Sequence, residues 1–210
     1  MPAYKTYRTH PAFLALFWLV MACTTPAYLD KEALQNYVQD VDHGVSITKE
    51  WNDVKISVIN RPTGLLLAQE LDAGKEISYE SLQKLQEKYG HHYYFVIGFS
   101  RGNKELLYNT GASYDAFSQQ LQTLAFRMPD YLTMTTSTAD TIPVADFAFP
   151  RTYGMGGSTQ LMVVFDKNKA KGKKWVQVNL NEFGFGLGNQ RFRFNVKDLE
   201  KVPELKIENS

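Results

Sequence analysis

The pattern in this chain closest to a catalytic motif is Gly98-Phe99-Ser100-Arg101-Gly102, which has the G-x-S-x-G form of a nucleophile elbow. In that motif a serine on a sharp strand-to-helix turn offers its hydroxyl to a histidine base, and acyl transfer follows. The residues before Ser100 do read as a strand, but Asn103–Tyr108 reads as a returning strand rather than a helix. All four histidines, His10, His43, His91 and His92, precede the serine. His91 and His92 lie at the far end of the same predicted strand, more than about 20 Å away at ~3.3 Å per residue. A hairpin turn is therefore the favoured reading, with an envelope hydrolase on Ser100 as the alternative. The His91-His92 pair does not suit a metal either, because adjacent residues of a strand point to opposite faces. Asp40, Asp42 and His43 sit at a predicted helix C-terminus, where solvated polar residues are ordinary. With no H-x-H or H-x-x-x-H spacing to complete a site, neither metal nor cofactor is expected.

Two glycine-rich loops come next, Tyr153-Gly-Met-Gly-Gly157 and Phe183-Gly-Phe-Gly-Leu-Gly188. Neither has Walker spacing, and the second leads into a strand rather than a helix, so nucleotide binding is not expected. Both read as wide β connections that present Tyr153, Met155, Phe183, Phe185 and Leu187. Such side chains form a binding surface when exposed, or plugs that close the end of a sheet. Lys167, Lys169, Lys171, Lys173 and Lys174 crowd what reads as one hairpin tip. Five cations there can meet anionic lipid head groups, or simply solubilise a turn and guard a sheet end against edge pairing.

The elements that must position these groups follow from periodicity and caps. Asp30 is a predicted N-cap, with Leu34, Tyr37, Val38 and Val41 forming the apolar face of a helix that Gly44 ends. Val54, Ile56 and Val58 alternate with polar residues in a half-buried strand stopped at Arg61-Pro62. Pro62 opens a short helix through Leu66 to Leu71. Ser78 caps a second amphipathic helix, Glu80–Tyr89, with Leu82, Leu85 and Tyr89 inward and Gly90 as its stop. The apolar run Tyr93–Phe99 predicts a strand buried on both faces, returning as Glu105–Tyr108. Ser113 caps a third helix with Phe117, Leu121, Leu124 and Met128 on one stripe, stopped by Pro129. Five strands follow, at Tyr131–Thr136, Val144–Phe149, Gln160–Asp166, Trp175–Asn181 and Arg191–Val196, with short connections that predict antiparallel neighbours. The expected fold is α+β, with N-terminal helices and strands and a C-terminal antiparallel β-sheet or sandwich. No repeat or low-complexity linker divides it, so residues 30–210 read as one domain.

The N-terminus supplies an address. Lys5 and Arg8 form a basic region, residues 13–22 an apolar one, and the chain's single cysteine, Cys23, follows at once. That order is the order of a secretory signal, and the apolar run is about half the roughly 20 residues needed to span a bilayer. Val20-Met21-Ala22-Cys23 resembles the lipobox of bacterial lipoproteins. The resemblance implies cleavage between Ala22 and Cys23, a diacylglycerol thioether on Cys23, and a tether over residues 23–29. An ordinary secretory signal cut after Ala22 or Ala27, or a buried helix with Cys23 as a small hydrophobe, is the alternative. Thr24, standing where an aspartate would signal inner-membrane retention, resembles the outer-membrane case, facing the periplasm. Cleavage removes two basic residues and leaves about 190 residues of near-neutral charge, enough for a sizeable core. The basic footprint of a nucleic-acid binder is absent. The expected function is a lipid-anchored, non-catalytic accessory or binding component of an envelope assembly, with the membrane and an envelope protein as partners.

Overall fold

The computed structural model describes residues 28–72, 78–109 and 111–207; the expected signal region, Ala22 and Cys23 lie outside them. It opens with a two-residue strand, β1 (Tyr28–Leu29), followed by helix α1 (Lys31–Gln39). Asp30 caps α1 by accepting from the Ala33 N–H at 2.8 Å, satisfying one of the donors a helix start leaves open. Leu34 and Val38 are buried as expected, but Val41 is exposed. Asp40 leaves helical dihedrals and starts a separate 3-10 turn, so the apolar face loses its phase before Val41.

Strands β2 (Ser46–Trp51) and β3 (Val54–Asn60) form a hairpin through Asn52 and Asp53, both at positive φ. Helices α2 (Thr63–Asp72) and α3 (Tyr79–Gly90) follow, the latter capped by Ser78. The long strand β4 (His92–Arg101) turns through Gly102 and Asn103 into the short β5 (Lys104–Glu105), after which Leu106–Tyr108 is a 3-10 turn rather than more strand. Ser113 caps α4 (Tyr114–Gln122), which widens into a π-turn at Thr123–Arg127 before Pro129 stops it.

The second half is strand after strand: β6 (Leu132–Thr136), β7 (Thr141–Pro143), β8 (Asp146–Ala148), β9 (Thr159–Asp166), β10 (Trp175–Leu180) and β11 (Gln190–Asn195). Helix α5 (Val196–Glu200) and strand β12 (Glu204–Leu205) end it. Among the described residues these make two antiparallel sheets, β2-β3-β4-β9-β8 with β5 beside β4, and β11-β10-β6-β7. A parallel pair, β1 with β12, joins the two ends of the described chain. The α+β expectation, with a C-terminal antiparallel sheet, is what the molecule shows.

The two sheets pack face to face. Phe95 of β4 meets Phe194 of β11 with ring centroids 5.0 Å apart, and Phe99 meets Phe183 at 5.4 Å. One core runs from Leu34 through Ile56, Phe95, Met134 and Val178 to Leu199. Tyr93, Phe95, Ile97 and Phe99 on the inner face of β4 are all buried, while on the outer face Gly98 and Ser100 are buried but Tyr94 and Val96 only half-buried. The expectation of burial on both faces is corrected to that extent.

Two connections also differ from expectation. Of the strand expected at Val144–Phe149 only Asp146–Ala148 (β8) forms, because the chain leaves one sheet at Pro143, the end of β7, and enters the other at Asp146. Likewise β9 and β10, neighbours in sequence, belong to different sheets. The lysine-rich segment between them is a crossing with a 3-10 turn at Lys167–Ala170, not a hairpin tip.

Candidate functional site

At the end of the molecule where β1 and β12 pair, the surface dips into a groove of about 270 Å³. One wall begins where β3 ends. Asn60 is buried and donates its side-chain N–H to the Tyr94 carbonyl at 3.2 Å, and the Arg61 N–H donates to the same carbonyl at 2.8 Å. Pro62 then holds Arg61 out of the helical region and leads into α2. Having no polar side chain, Pro62 leaves the α2 N-terminus without a side-chain cap, and no described group accepts from the Thr63 or Gly64 N–H. That end carries the positive pole of the helix dipole.

The charged groups that line the groove make no ion pair with one another among the described residues. The Arg61 guanidinium donates once, to Gln69 Oε1 at 3.1 Å, and no carboxylate pairs with it among the described residues. Burial pulls its pKa below the ordinary range, the mark of a guanidinium that has given up water without gaining an anion. Lys167 places its ammonium 5.5 Å from the Tyr93 ring centroid and makes no ion pair among the described residues. Tyr93 itself is pushed up to about 12, by burial first and by the Glu200 carboxylate second. Glu200 and Glu204, both exposed, also line the groove. His92 Nδ1 is buried at the groove without a hydrogen-bond partner among the described residues. Buried polar atoms are nearly always satisfied, so an orphan at a concave surface stands out.

The floor comes from close backbone approach. A Cβ on Gly64 would lie 3.0 Å from Leu205 Cβ and 3.2 Å from the Leu205 nitrogen, so β12 lies directly on the start of α2. Because β12 pairs with β1, the groove wall is tied to the segment that leads back to Cys23.

The residues singled out by sequence fall elsewhere. Ser100 is buried in β4 and registers against Glu105 of β5 and Lys55 of β3. The turn after it is a tight hairpin, with Gly102 and Asn103 both at φ 58°, and no helix follows. His92 stands at the opposite end of the strand. His91 is not in the strand at all; it caps the end of α3. Among the described residues no cluster of three metal-ligating side chains occurs.

The glycine loops divide. Glu105, buried beside Ser100, accepts from Thr152 Oγ1 and from the Gly156 N–H, each at 2.6 Å. This pins the loop so that Tyr153 and Met155 stand out, 63% and 86% exposed. In the second loop Phe183 and Leu187 are buried and Phe185 half-buried, with Phe183 packed on Phe99, Tyr131 and Phe185. That loop is a plug.

The plug depends on Glu182, which sequence reasoning passed over. Its Oε1 accepts from the Gly184, Phe185 and Gly186 N–H groups at 2.8 to 2.9 Å, and its Oε2 from the Gly188 N–H. Desolvation is the largest single influence on this carboxyl and raises its pKa, but the four donors outweigh it and the group lies below the usual range. The alternation of glycines just after a glutamate was the available signal, since successive N–H groups at positive φ form an anion nest.

The lysines are also split. Lys173 donates to Asp140 at 2.7 Å and to Thr138 Oγ1 at 2.6 Å. Lys167 faces the groove, while Lys169, Lys171 and Lys174 are exposed. No described helix is long and apolar enough to cross a membrane.

No protein-family model and no curated protein matches the chain. Among solved structures, the chain is similar to a protein of unknown function from Burkholderia pseudomallei K96243. The TM-score is 0.41 and the identity 11%, over 87% of this chain and 97% of that one.

Proposed function

We propose that the chain is a lipid-anchored bacterial envelope lipoprotein, an accessory or binding component held in the outer membrane by an acylated Cys23 and facing the periplasm. The anchor half of this reading stands on the Val20-Met21-Ala22-Cys23 sequence. The binding half stands on one observation: a concave groove lined by Arg61, His92, Lys167, Glu200 and Glu204, in which His92 Nδ1 has no hydrogen-bond partner among the described residues. Concave sites with a few convergent polar groups are where ligands bind.

The two halves fit in space. Four residues lie between Cys23 and Tyr28, so five steps of chain place an acyl anchor at most ~18 Å from β1. Through β1 and β12 the groove belongs to the end of the domain nearest the tether. Nothing about Ser100 favours the hydrolase reading, since its strand returns as a hairpin.

Radiolabelled palmitate tests the anchor. Wild type incorporates label, and Cys23→Ala does not and fails to be processed. Equal labelling of the two overturns the lipoprotein reading. A fluorophosphonate probe tests the catalytic alternative: wild type and Ser100→Ala remain equally unlabelled, whereas labelling that Ser100→Ala removes makes the protein a serine hydrolase.

A further inference from the structure

The outer face of the second sheet carries amides, hydroxyls and guanidinium groups but no acid. Strand register fixes which side chains stand on it, because residues directly opposite one another share a face. On β10 they are Trp175, Gln177 and Asn179, since Val176, Val178 and Leu180 are buried. Gln177 stands opposite Thr135 of β6 and Arg193 of β11, and Asn179 opposite Thr133 and Arg191. All of these are exposed or half-exposed. A solvated surface ordinarily mixes charges of both signs. Here no lysine, aspartate or glutamate occupies an outward position of β6, β7, β10 or β11. The carboxylates nearest in sequence are engaged elsewhere, Glu182 in its nest and Asp198 as the acceptor of Asn195 Nδ2 at 2.9 Å.

The face dips into a hollow of about 340 Å³ whose lining includes no apolar side chain. Arg193 is held in place, its guanidinium 4.1 Å from the Trp175 ring centroid and donating twice to Gln177 Oε1, at 3.2 and 3.0 Å. Gln177 Nε2 donates in turn to Asn179 Oδ1 at 2.7 Å. Asn179 Nδ2 reaches the Thr133 and Thr135 hydroxyl oxygens only at 3.4 and 3.3 Å. Those hydroxyls donate to nothing among the described residues. The side chains of Asn181 and Arg191, which also line the hollow, make no hydrogen bond or ion pair among them.

Amides and hydroxyls donate and accept at once, as sugar hydroxyls do. On a sheet they repeat at ~4.8 Å across strands and about 6.6 Å along them, the scale of one sugar ring. A guanidinium with no acid beside it adds charge complementarity to an anion, and its planar fork matches a carboxylate. We infer that the outer face of β6, β10 and β11 binds a polysaccharide of uronic acids, with sugar hydroxyls on Gln177, Asn179, Asn181 and the two threonines and a ring carboxylate on Arg191. The hollow shares no lining residue with the groove. The inference therefore goes beyond the proposed function and stands independently of the groove and of acylation at Cys23.

The full-length protein, in an alkyl polyoxyethylene detergent that carries no sugar, is titrated by calorimetry with oligogalacturonate, oligomannuronate, the methyl ester of each, and polyglutamate. At least one free-acid oligomer binds, about tenfold or more tighter than its ester, the scale of one charge-assisted hydrogen bond. Polyglutamate, which has the carboxylates without the hydroxyls, binds at least about tenfold more weakly than that oligomer. Arg191→Gln removes the preference for acid over ester. Its side chain is exposed and unbonded among the described residues, so the variant folds as wild type does. Asn181→Asp, which adds a carboxylate to the hollow, weakens the acid more than the ester, a split that a merely structural change would not produce. The inference is overturned if neither acid oligomer binds, if the esters or polyglutamate bind as tightly as the acids, or if Arg191→Gln keeps the wild-type preference.

Discussion

Glu182 shows how much one side chain can hold. Its four backbone donors close a loop of alternating glycines, and that loop seats Phe183 and Leu187 in the core. Glu182→Gln keeps one acceptor but turns an N–H₂ toward a backbone donor. We predict a loss of about 1–2 kcal/mol at neutral pH, discounted for the partial exposure of the carboxylate, measured by urea unfolding. The sign of the pH dependence follows from the lowered pKa of the folded state. The unfolded chain takes up a proton first as pH falls, so the contribution is present above the ordinary glutamate range of about 4.3 and fades as pH drops through the lower folded value. The gap between wild type and Glu182→Gln therefore narrows below about pH 4; a gap constant from pH 7 to pH 3 refutes the role. Asp140 belongs to the same class of carboxylate, held at about 2 by hydrogen bonds from Lys173, Thr138 and Thr136.

Elements meet where a residue is small enough to let them. Gly64 lets β12 lie on the first turn of α2, with Leu34 Cδ2 only 3.1 Å from where a Cβ would stand. The atoms in the way include strand backbone, which cannot swing aside as the end of a long side chain can. Gly64→Ala is expected to cost about 1–3 kcal/mol through this overpacking, and to loosen β12 and β1 together. Hydrogen exchange at Lys206, whose N–H donates to the Leu29 carbonyl at 2.7 Å, reports the loosening directly; unchanged protection there counts against the account. The β2–β3 hairpin was also within reach of the sequence. Asn52-Asp53 is a pair suited to a two-residue turn at positive φ, but β2 carries only Ile47 and Trp51 as large apolar residues and shows little of the alternation by which strands are recognised.

At the scale of the whole molecule, the contact between sheets dominates. Phe95 is completely buried in the middle of β4 and meets Phe194 across the interface. Truncation of Phe95 to alanine should cost about 3–5 kcal/mol, since a cavity between two sheets cannot collapse fully. Phe194→Ala should cost a similar amount, and the double variant less than the sum by about 0.5–1.5 kcal/mol, the coupling of an aromatic pair. Denaturant unfolding of the four proteins measures it, and strict additivity would mean that the sheets are not held through this pair. The crossings at Val144–Ala145 and at Lys167–Lys174 matter at the same scale. By sending sequence neighbours to opposite sheets, they turn a run of strands into a layered body and separate the five lysines.

Local rules were enough for the caps at Asp30, Ser78 and Ser113, the apolar faces of α1, α3 and α4, and most strand positions. These depend on hydrogen bonds and periodicities within a few residues of one another. The α+β class was legible for the same reason. The partner of each strand was not. Pairing is decided by burial against residues distant in sequence, so Val144–Phe149 could be read as one strand although its first two residues cross between sheets and only Asp146–Ala148 pairs. The groove was least legible of all. Arg61, His92, Lys167 and Glu200 are ordinary residues in four separate segments, and only the tertiary fold, with β12 laid on the start of α2, brings them to one surface.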